Sequence, residues 1–336
     1  MKKVWSPKFF PFQIFREILR DNPDIVHLQF ELNMFGPLYT NFLIPVLILL
    51  LKLSGKRTVV TIHGIIPRTW FSPQKIGRIL PAGVLRNRMP LSLFKLLMFH
   101  LFKMLDGIAF RIVVHSNVFK RWLSAYPVSQ DKVHVVPHGC GSLTALNPKS
   151  QGKWENLKGR IILNFGIIAP RKGIDTLIEA FARLNLQDVS LVIVGREMPY
   201  YAGYLRRLRE LVKKHRLESK VIFTGFLPAE EVHYLFDRAV LVVFPYIMTI
   251  SASGALSYAI QHYKPIIVTD TEFFREELKD AALFVQAGNV EELAEAIRRL
   301  LEDEKLRISL SRTLVKKAEE KSWEAVARKM LEVYSI

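Results

Sequence analysis

Between Leu241 and Asp270 the chain reads LVVFPYIMTISASGALSYAIQHYKPIIVTD, and this stretch constrains the fold more than any other. Leu241–Tyr246 is a short run of β-branched and aromatic residues with no polar alternation, the pattern of a strand covered on both faces. Ser251-Ala252-Ser253-Gly254 then places small residues where a helix should begin. Ala255–Tyr263 has helical character, Lys264-Pro265 stops it, and Ile266–Asp270 resumes as a strand. Two doubly covered strands joined by a helix require a parallel sheet with helices on its faces. A glycine-containing turn at a helix start beside a strand's carboxyl end can hold a phosphate, because unpaired N–H groups and the helix dipole meet there. An ordinary crossover with a small-residue cap is the plainer reading of this stretch taken alone.

The alternation runs through the chain. Strand patterns at Asp24–Phe30, Arg57–Ile62, Gly107–His115 and Lys132–Pro137 are separated by helix patterns at Pro11–Asp21, Leu91–Leu105 and Asn117–Ala125. The wholly apolar run at 42–51 is half the length a membrane span needs, so it reads as a buried or interfacial helix. From Gly139 to Gly159 the pattern lapses into Gly, Ser, Asn, Pro and Lys, then restarts with a strand at Arg160–Phe165 and a helix at Gly173–Asn185. Strands follow at Val189–Val194, Val221–Thr224 and Ala281–Gln286, with helices at Tyr200–Leu217, Ala229–Ala239, Phe273–Lys279 and Val290–Glu302, and two more helices at the end. A chain of 336 residues holds two domains of ordinary size. The expected organisation is an α/β protein with two Rossmann-like, doubly wound domains facing a cleft. The first covers 1–145, a linker 146–158, the second 159–320, and a terminal helix spans 321–336.

The charge is lopsided. Residues 1–150 carry 20 Lys and Arg against 6 Asp and Glu, whereas the remainder carries 28 against 25. No acid lies between Glu31 and Asp106, an interval with ten basic residues among many apolar ones. The basic, apolar 66–105 segment therefore fits an anionic membrane surface. A solvated basic face over an ordinary core is the plain alternative. Nucleic acid is disfavoured, because no nucleic-acid motif accompanies the charge. The single cysteine, Cys140, rules out an intrachain disulfide and an all-cysteine metal cluster. No secretory leader pattern follows Met1-Lys2-Lys3, so the chain is expected in the cytoplasm, peripheral on the inner membrane face.

Ligands of open parallel sheets bind beyond the carboxyl ends of the strands. The first half places Glu31, His63, His115 and His138 there. The second places Gly166–Gly173, Gly195-Arg196-Glu197, Gly225-Phe226, Ser251–Gly254 and Asp270. Arg171 and Lys172, at a strand-to-helix turn, are suited to a diphosphate, although a chance Lys-Gly cap reads the same way. GxxxxGK[ST], HExxH and CxxC are absent, and Gly139-Cys140-Gly141 opens no helix, which argues against P-loop and dehydrogenase chemistry.

The series FGIIAPRKGIDTLIEAFARL, VSLVIVG, KVIFTGFLPAEEVHYLF, LVVFPY, SASGALSYAIQHYKPIIVTD, FFREEL, AALFV and NVEELAEAIRRLL resembles the donor-binding half of family 4 retaining glycosyltransferases, which have the GT-B fold. DIVHLQFELNMFG, VVTIHG, IVVHSNVFKRWL and VHVVPHG resemble the first half of that family, and SWEAVARKMLEVY resembles its terminal helix, which crosses back onto the first domain. The resemblance implies retaining transfer of a sugar, of hexosyl type, from a nucleotide-diphosphate sugar to an acceptor hydroxyl. With the basic segment, the acceptor is expected to be lipid-linked or otherwise membrane-borne.

By the same resemblance, Arg171 and Lys172 hold the diphosphate and Gly166 lets backbone approach it. Gly195 is a donor-site glycine, and Gly225 and Phe226 hold the nucleobase. Ser251, Ser253 and Gly254 meet phosphate or sugar. His63 contacts the donor sugar near the reacting centre. His115 is either a second such residue or a satisfied strand-end histidine, and His138 is mainly structural. The family's E-x7-E glutamates align with Ile250 and Tyr258, so the Tyr258 hydroxyl is expected to replace a carboxylate at the ribose. The cation common after the first glycine is Ile167 here, with Arg171 as its substitute. The family's usual first strand and glycine-rich acceptor loop have no counterpart, which implies an abbreviated domain, a missing start, or acceptor binding rebuilt from the basic segment at 66–105. No cofactor and no metal site is expected, the two cations taking the place of a strict metal requirement. The missing glutamates leave open a non-catalytic, nucleotide-sugar-binding or scaffolding homologue.

Overall fold

The computed structural model describes residues 6–32, 34–79, 90–141, 154, 157, 159–198 and 201–335. Most of the expected linker 146–158, and residues 80–89 of the basic segment, lie outside the described residues. The chain forms two units. One comprises Met1–Pro137, Ile250–Ala252 and Val326–Ile336, the other His138–Thr249 and Ser253–Ala325.

In the first unit, β1 (Ile25–Phe30), β2 (Arg57–Ile62), β3 (Arg111–Val114) and β4 (Val133–Val135) lie in that order in one parallel sheet. β2 is central, and every residue after Arg57 is buried, as a strand covered on both faces must be. The helices are α1 (Phe10–Asp21), α2 (Ile44–Leu53), α3 (Pro73–Ile79), α4 (Leu91–Ile108) and α5 (Asn117–Leu123). Asn22 ends α1 in the left-handed region, its amide bonded to the Ile18 carbonyl at 2.8 Å, and Pro23 prevents continuation. The apolar run at 42–51 starts in a 3-10 turn (Leu38–Leu43) and continues as α2. α2 buries Ile44, Leu47, Ile48 and Leu51, while Val46, Leu49 and Leu53 remain exposed. No described helix is long and apolar enough to cross a membrane.

The second unit carries β5 (Arg160–Phe165), β6 (Val189–Val194), β7 (Val221–Gly225), β8 (Ala239–Phe244), β9 (Ile266–Thr269) and β10 (Ala282–Val285). The described strands are all parallel, in the order β10-β9-β8-β5-β6-β7. This is the doubly wound order, with its reversal between β5 and β8. The helices are α6 (Ile174–Leu184), α7 (Tyr204–Lys214), α8 (Ala229–Arg238), α9 (Gly254–Gln261), α10 (Glu272–Leu278), α11 (Val290–Glu302), α12 (Glu304–Glu320) and α13 (Trp323–Ser335). The helix expected over Tyr200–Leu217 is trimmed at both ends, because Gly203 at φ +98° starts it and His215 stops it. One core joins Ile162, Leu191, Leu241 and Ile267 of the sheet to Leu177, Phe181, Ile297 and Leu300 of α6 and α11.

From Val326 onward α13 belongs to the first unit. Val326 and Val333 pack with Val59, Val113 and Val136, and the Tyr334 hydroxyl lies 2.7 Å from His27 Nδ1. Val333→Ala should cost about 1–3 kcal/mol in chemical denaturation. Leu331→Ala, on the same helix but 61% exposed, should stay within about 0.5 kcal/mol of the parent.

Candidate active site

Strand order reverses between β5 and β8 inside the second unit, the place at which open parallel sheets form a ligand crevice. The β5–β8 ladder runs through Leu163 and Val242. Beyond it, the buried Asn164 side-chain amide donates to the Val243 carbonyl at 2.8 Å, joining the strands where main-chain pairing stops. A buried polar side chain in an apolar strand is satisfied in this way and contributes about 1 kcal/mol. The neighbouring strand ends are held together through glycines. Gly166 donates its amide to Val194 O and Gly195 to Gly225 O, at 2.9 and 3.0 Å. A Cβ on Gly195 would lie 1.7 Å from the Gly166 carbonyl oxygen, so no side chain fits there.

The turn after β5 carries both cations. Pro170–Lys172 forms a single 3-10 turn, and Gly173 at φ +63° enters α6. Gly173 touches the loop after β8 so closely that a Cβ would lie 2.0 Å from Pro245 O. The Ile247 amide donates to Arg171 O at 2.9 Å. Lys172 Nζ sits 3.5 Å from the centroid of the Tyr246 ring, a cation–π contact. Tyr246 is 1% exposed, and Thr269 Oγ1 donates to its carbonyl at 2.7 Å. Its hydroxyl and Ser253 Oγ share a hydrogen bond of 3.2 Å. Ser253 also caps α9, accepting from Leu256 N at 3.2 Å. The cationic turn, Tyr246 and the start of α9 are thus mechanically linked, and the Gly254 and Ala255 amides, ahead of the capped Leu256 amide, come too early in the helix to reach a carbonyl four residues back within it. This arrangement suits an anion.

Burial pushes the Tyr246 phenol up to about 12, although the Ser253 bond and the Arg171 charge pull the other way. Farther along α9, the Tyr258 ring stacks on Phe236 and meets Phe165 and His233. Beneath it, His233 Nδ1 bonds His262 Nε2 at 2.8 Å, and His262 Nδ1 bonds Asp237 Oδ1 at 2.6 Å. Burial lowers the pKa of both imidazoles. At the edge formed by β6 and β7, Phe226 is 76% exposed with the Arg196 guanidinium 5.8 Å from its ring centroid. Asn164, Tyr246 and the His233–His262–Asp237 chain were not singled out as site residues by sequence reasoning. Only the polar Asn164 inside an apolar strand carried a signal.

His63 lies in the first unit, just beyond β2. Its Nε2 is 2.7 Å from Gln29 Oε1 and its Nδ1 is 3.0 Å from His115 Nε2. The structure therefore places His115 against His63, with its own Nδ1 on Val136 O at 3.0 Å. Ser251 belongs to this unit as well. It bridges Gly64, while Ile65 donates to Ile250 O and Ala252 to His63 O. The small-residue loop is thus divided, Ser251 accompanying His63 and Ser253-Gly254 accompanying Lys172 and Tyr246. His138 bonds Gly139 O and Ser257 Oγ at 2.9 and 3.0 Å. Among the described residues no group of three or more His, Cys, Asp or Glu is placed to hold a metal ion.

Gly195→Ala should cost about 2–4 kcal/mol, combining left-handed backbone with a main-chain clash. Gly225→Ala, also at positive φ but with open space around it, should cost about 1 kcal/mol. Denaturant titration separates the two. The raised Tyr246 pKa stabilises the fold fully below the unfolded value of 10, and that stability is lost as pH rises towards 12. Tyr246→Phe should therefore flatten the fall in unfolding free energy between pH 10 and 12 by roughly 2–3 kcal/mol. Unchanged steepness would place that ionisation elsewhere.

Residues 148–331 match the family model described as glycosyl transferases group 1, and residues 2–140 match glycosyltransferase family 4. An uncharacterized glycosyltransferase of Methanocaldococcus jannaschii is 28% identical over 249 residues, covering 67% of this chain and 59% of its own length. The chain thus spans about three-fifths of that relative. Sucrose-phosphate synthase from Thermosynechococcus elongatus shares the fold, with TM-score 0.74 and 20% identity over 97% of this chain and 76% of its own. The Anabaena protein HepE in complex with UDP also has TM-score 0.74, at 14% identity over 98% and 84% of the two chains. With the first family model matched over more than half of its length, this chain belongs to the group 1 glycosyl transferases.

Proposed function

We propose that the protein transfers a sugar, with retention of anomeric configuration, from a nucleotide-diphosphate sugar to a lipid-linked or other membrane-borne acceptor. The observation that carries this reading is the coupling of Arg171, Lys172, Tyr246 and the Ser253-capped start of α9 at the strand-order reversal. Departure of a nucleoside diphosphate builds negative charge on the leaving oxygen. Two cations and oriented amides fixed beforehand stabilise that charge without reorganising. They serve in place of a strict metal requirement. Gly166 and Gly195 let backbone approach the diphosphate, Gly225 and Phe226 hold the base beside Arg196, and the Tyr258 hydroxyl meets the ribose. The donor-sugar contact falls to His63.

Three helices of the first unit support the membrane-borne acceptor. α1 packs on α2 and α2 on α4. They expose Phe12 and Leu19, then Val46, Leu49 and Leu53, then Leu93, Leu96 and Met104. Exposed Arg16, Arg20, Lys52, Lys95 and Lys103 accompany them. Large apolar side chains interleaved with cations suit a bilayer surface with anionic headgroups. The sucrose-phosphate synthase among the structural neighbours makes a soluble sugar phosphate the competing acceptor. Ile250 and Tyr258, standing where carboxylates are usual, favour a second reading, a nucleotide-sugar-binding homologue without turnover.

A thermal-shift panel of UDP, GDP, ADP and dTDP sugars tests the donor site. A ligand at 100 times its dissociation constant should add about 2.7 kcal/mol, and no stabilisation by any of them would reject the transferase reading. Lys172→Ala should weaken donor binding more than His63→Ala, since Lys172 meets ground-state charge. Equal losses would contradict these roles. Flotation with anionic and neutral liposomes checks the surface, and indifference to anionic lipid would remove the membrane-borne acceptor.

A further inference from the structure

The hydrogens of the His63–His115 pair can be counted from its partners. The Val136 carbonyl only accepts, so His115 Nδ1, 3.0 Å away, carries a hydrogen. One more hydrogen lies between His115 Nε2 and His63 Nδ1, also 3.0 Å apart. His63 Nε2 faces Gln29 Oε1 at 2.7 Å, and an amide oxygen there requires a third. Two neutral imidazoles carry only two such hydrogens, so this arrangement holds one extra proton on the pair.

The surroundings accommodate both proton counts. A half-turn of the Gln29 amide presents its NH2 to a bare Nε2, and the pair is then neutral. The same turn exchanges the Gln29 group facing His27 Nε2, now 3.2 Å away. That nitrogen also meets Thr61 Oγ1 at 2.7 Å, and His27 Nδ1 meets the Tyr334 hydroxyl at 2.7 Å. Hydroxyls donate or accept, so the chain adapts without breaking a bond. The His63 main chain is pinned as well, its amide on Phe30 O and its carbonyl on Ala252 N. The ring centroids of the pair are 4.7 Å apart.

We infer that His63 and His115 form one proton-sharing unit, with Gln29 as its switchable partner, and that His115 and Gln29 are positioning residues for His63. The charged pair offers an N–H at Nε2, and the neutral pair offers a lone pair. Taken with the proposed function, on which this consequence rests, a donor-sugar hydroxyl displacing Gln29 meets a donor or an acceptor according to the proton count. Among the described residues, the titratable or charged groups on the surrounding elements include His27 on β1, Arg57 on β2, Arg111 on β3, His134 on β4, Lys120 and Arg121 on α5, Glu31 after β1, and Glu324, Arg328, Lys329, Glu332 and Tyr334 on α13. Burial holds His27 and His134 below, and Tyr334 above, their ordinary values.

The test is nitrogen-15 NMR of the full chain labelled at histidine, titrated across the neutral range, with His63 signals assigned through His63→Gln. His63 and His115 should move together in two macroscopic steps separated by more than about one pH unit. His115→Phe should leave His63 with a single step and an altered tautomer signature. Gln29→Glu, at an exposed position, should raise the upper step by about one pH unit, and Gln29→Leu should lower it. A His63 curve unchanged by His115→Phe overturns the inference. If that variant does not fold, indifference of His63 to both Gln29 substitutions overturns it equally. Either failure leaves the nucleotide-binding assay, and with it the transferase reading, untouched.

Discussion

The second unit depends on one topological constraint. β5 and β8 are neighbours in the sheet, yet the chain leaves them in opposite directions, toward β6 and toward β9. Right-handed crossovers then put α6 and α9 on opposite faces, and a gap opens where the two strands end. Asn164 closes the lower edge of that gap with a side-chain bond to Val243. Gly173 against Pro245 fixes how closely the turns on either side approach, and a methyl group at that position would force them apart. Arg171, Lys172, Tyr246 and Ser253 all lie on or beside these two turns.

The electrostatics follow from the same geometry. Lys172 does not stand alone beside a helix terminus but over the face of Tyr246, whose hydroxyl reaches the capping Ser253. Tyrosine is a neutral phenol near pH 7 and burial raises its pKa further, so no phenolate cancels the positive character of the turn. No carboxylate occupies position 250 or 258. At position 258 an aromatic ring packs among Phe165, His233 and Phe236.

Much of this was legible in the residues. Doubly covered strands have a hydrophobic run of their own, so their existence and order of appearance could be read without a partner. Strand-end glycines and cations could be placed because a parallel sheet puts its loops at one end. Helix boundaries slipped by a few residues, as at Gly203 and His215, where a left-handed glycine and local capping override periodicity. The apolar run at 42–51 was read correctly as too short to span a membrane, but its outward stripe of Val46, Leu49 and Leu53 is visible only once the sheet and neighbouring helices define an inside.

By itself, then, the sequence determined two parallel α/β units, a strand-to-helix turn carrying Arg171 and Lys172, and histidines at strand ends. These are local consequences of hydrophobic period, turn chemistry and chain order. Tertiary structure alone decided that Ser251 accompanies His63 while Ser253 accompanies Tyr246, and that His63 is held between Gln29 and His115. Those partners lie 34 and 52 residues away along the chain. Parallel strands bring such distant positions into register through crossovers whose lengths vary freely, so no spacing in the sequence encodes the contact.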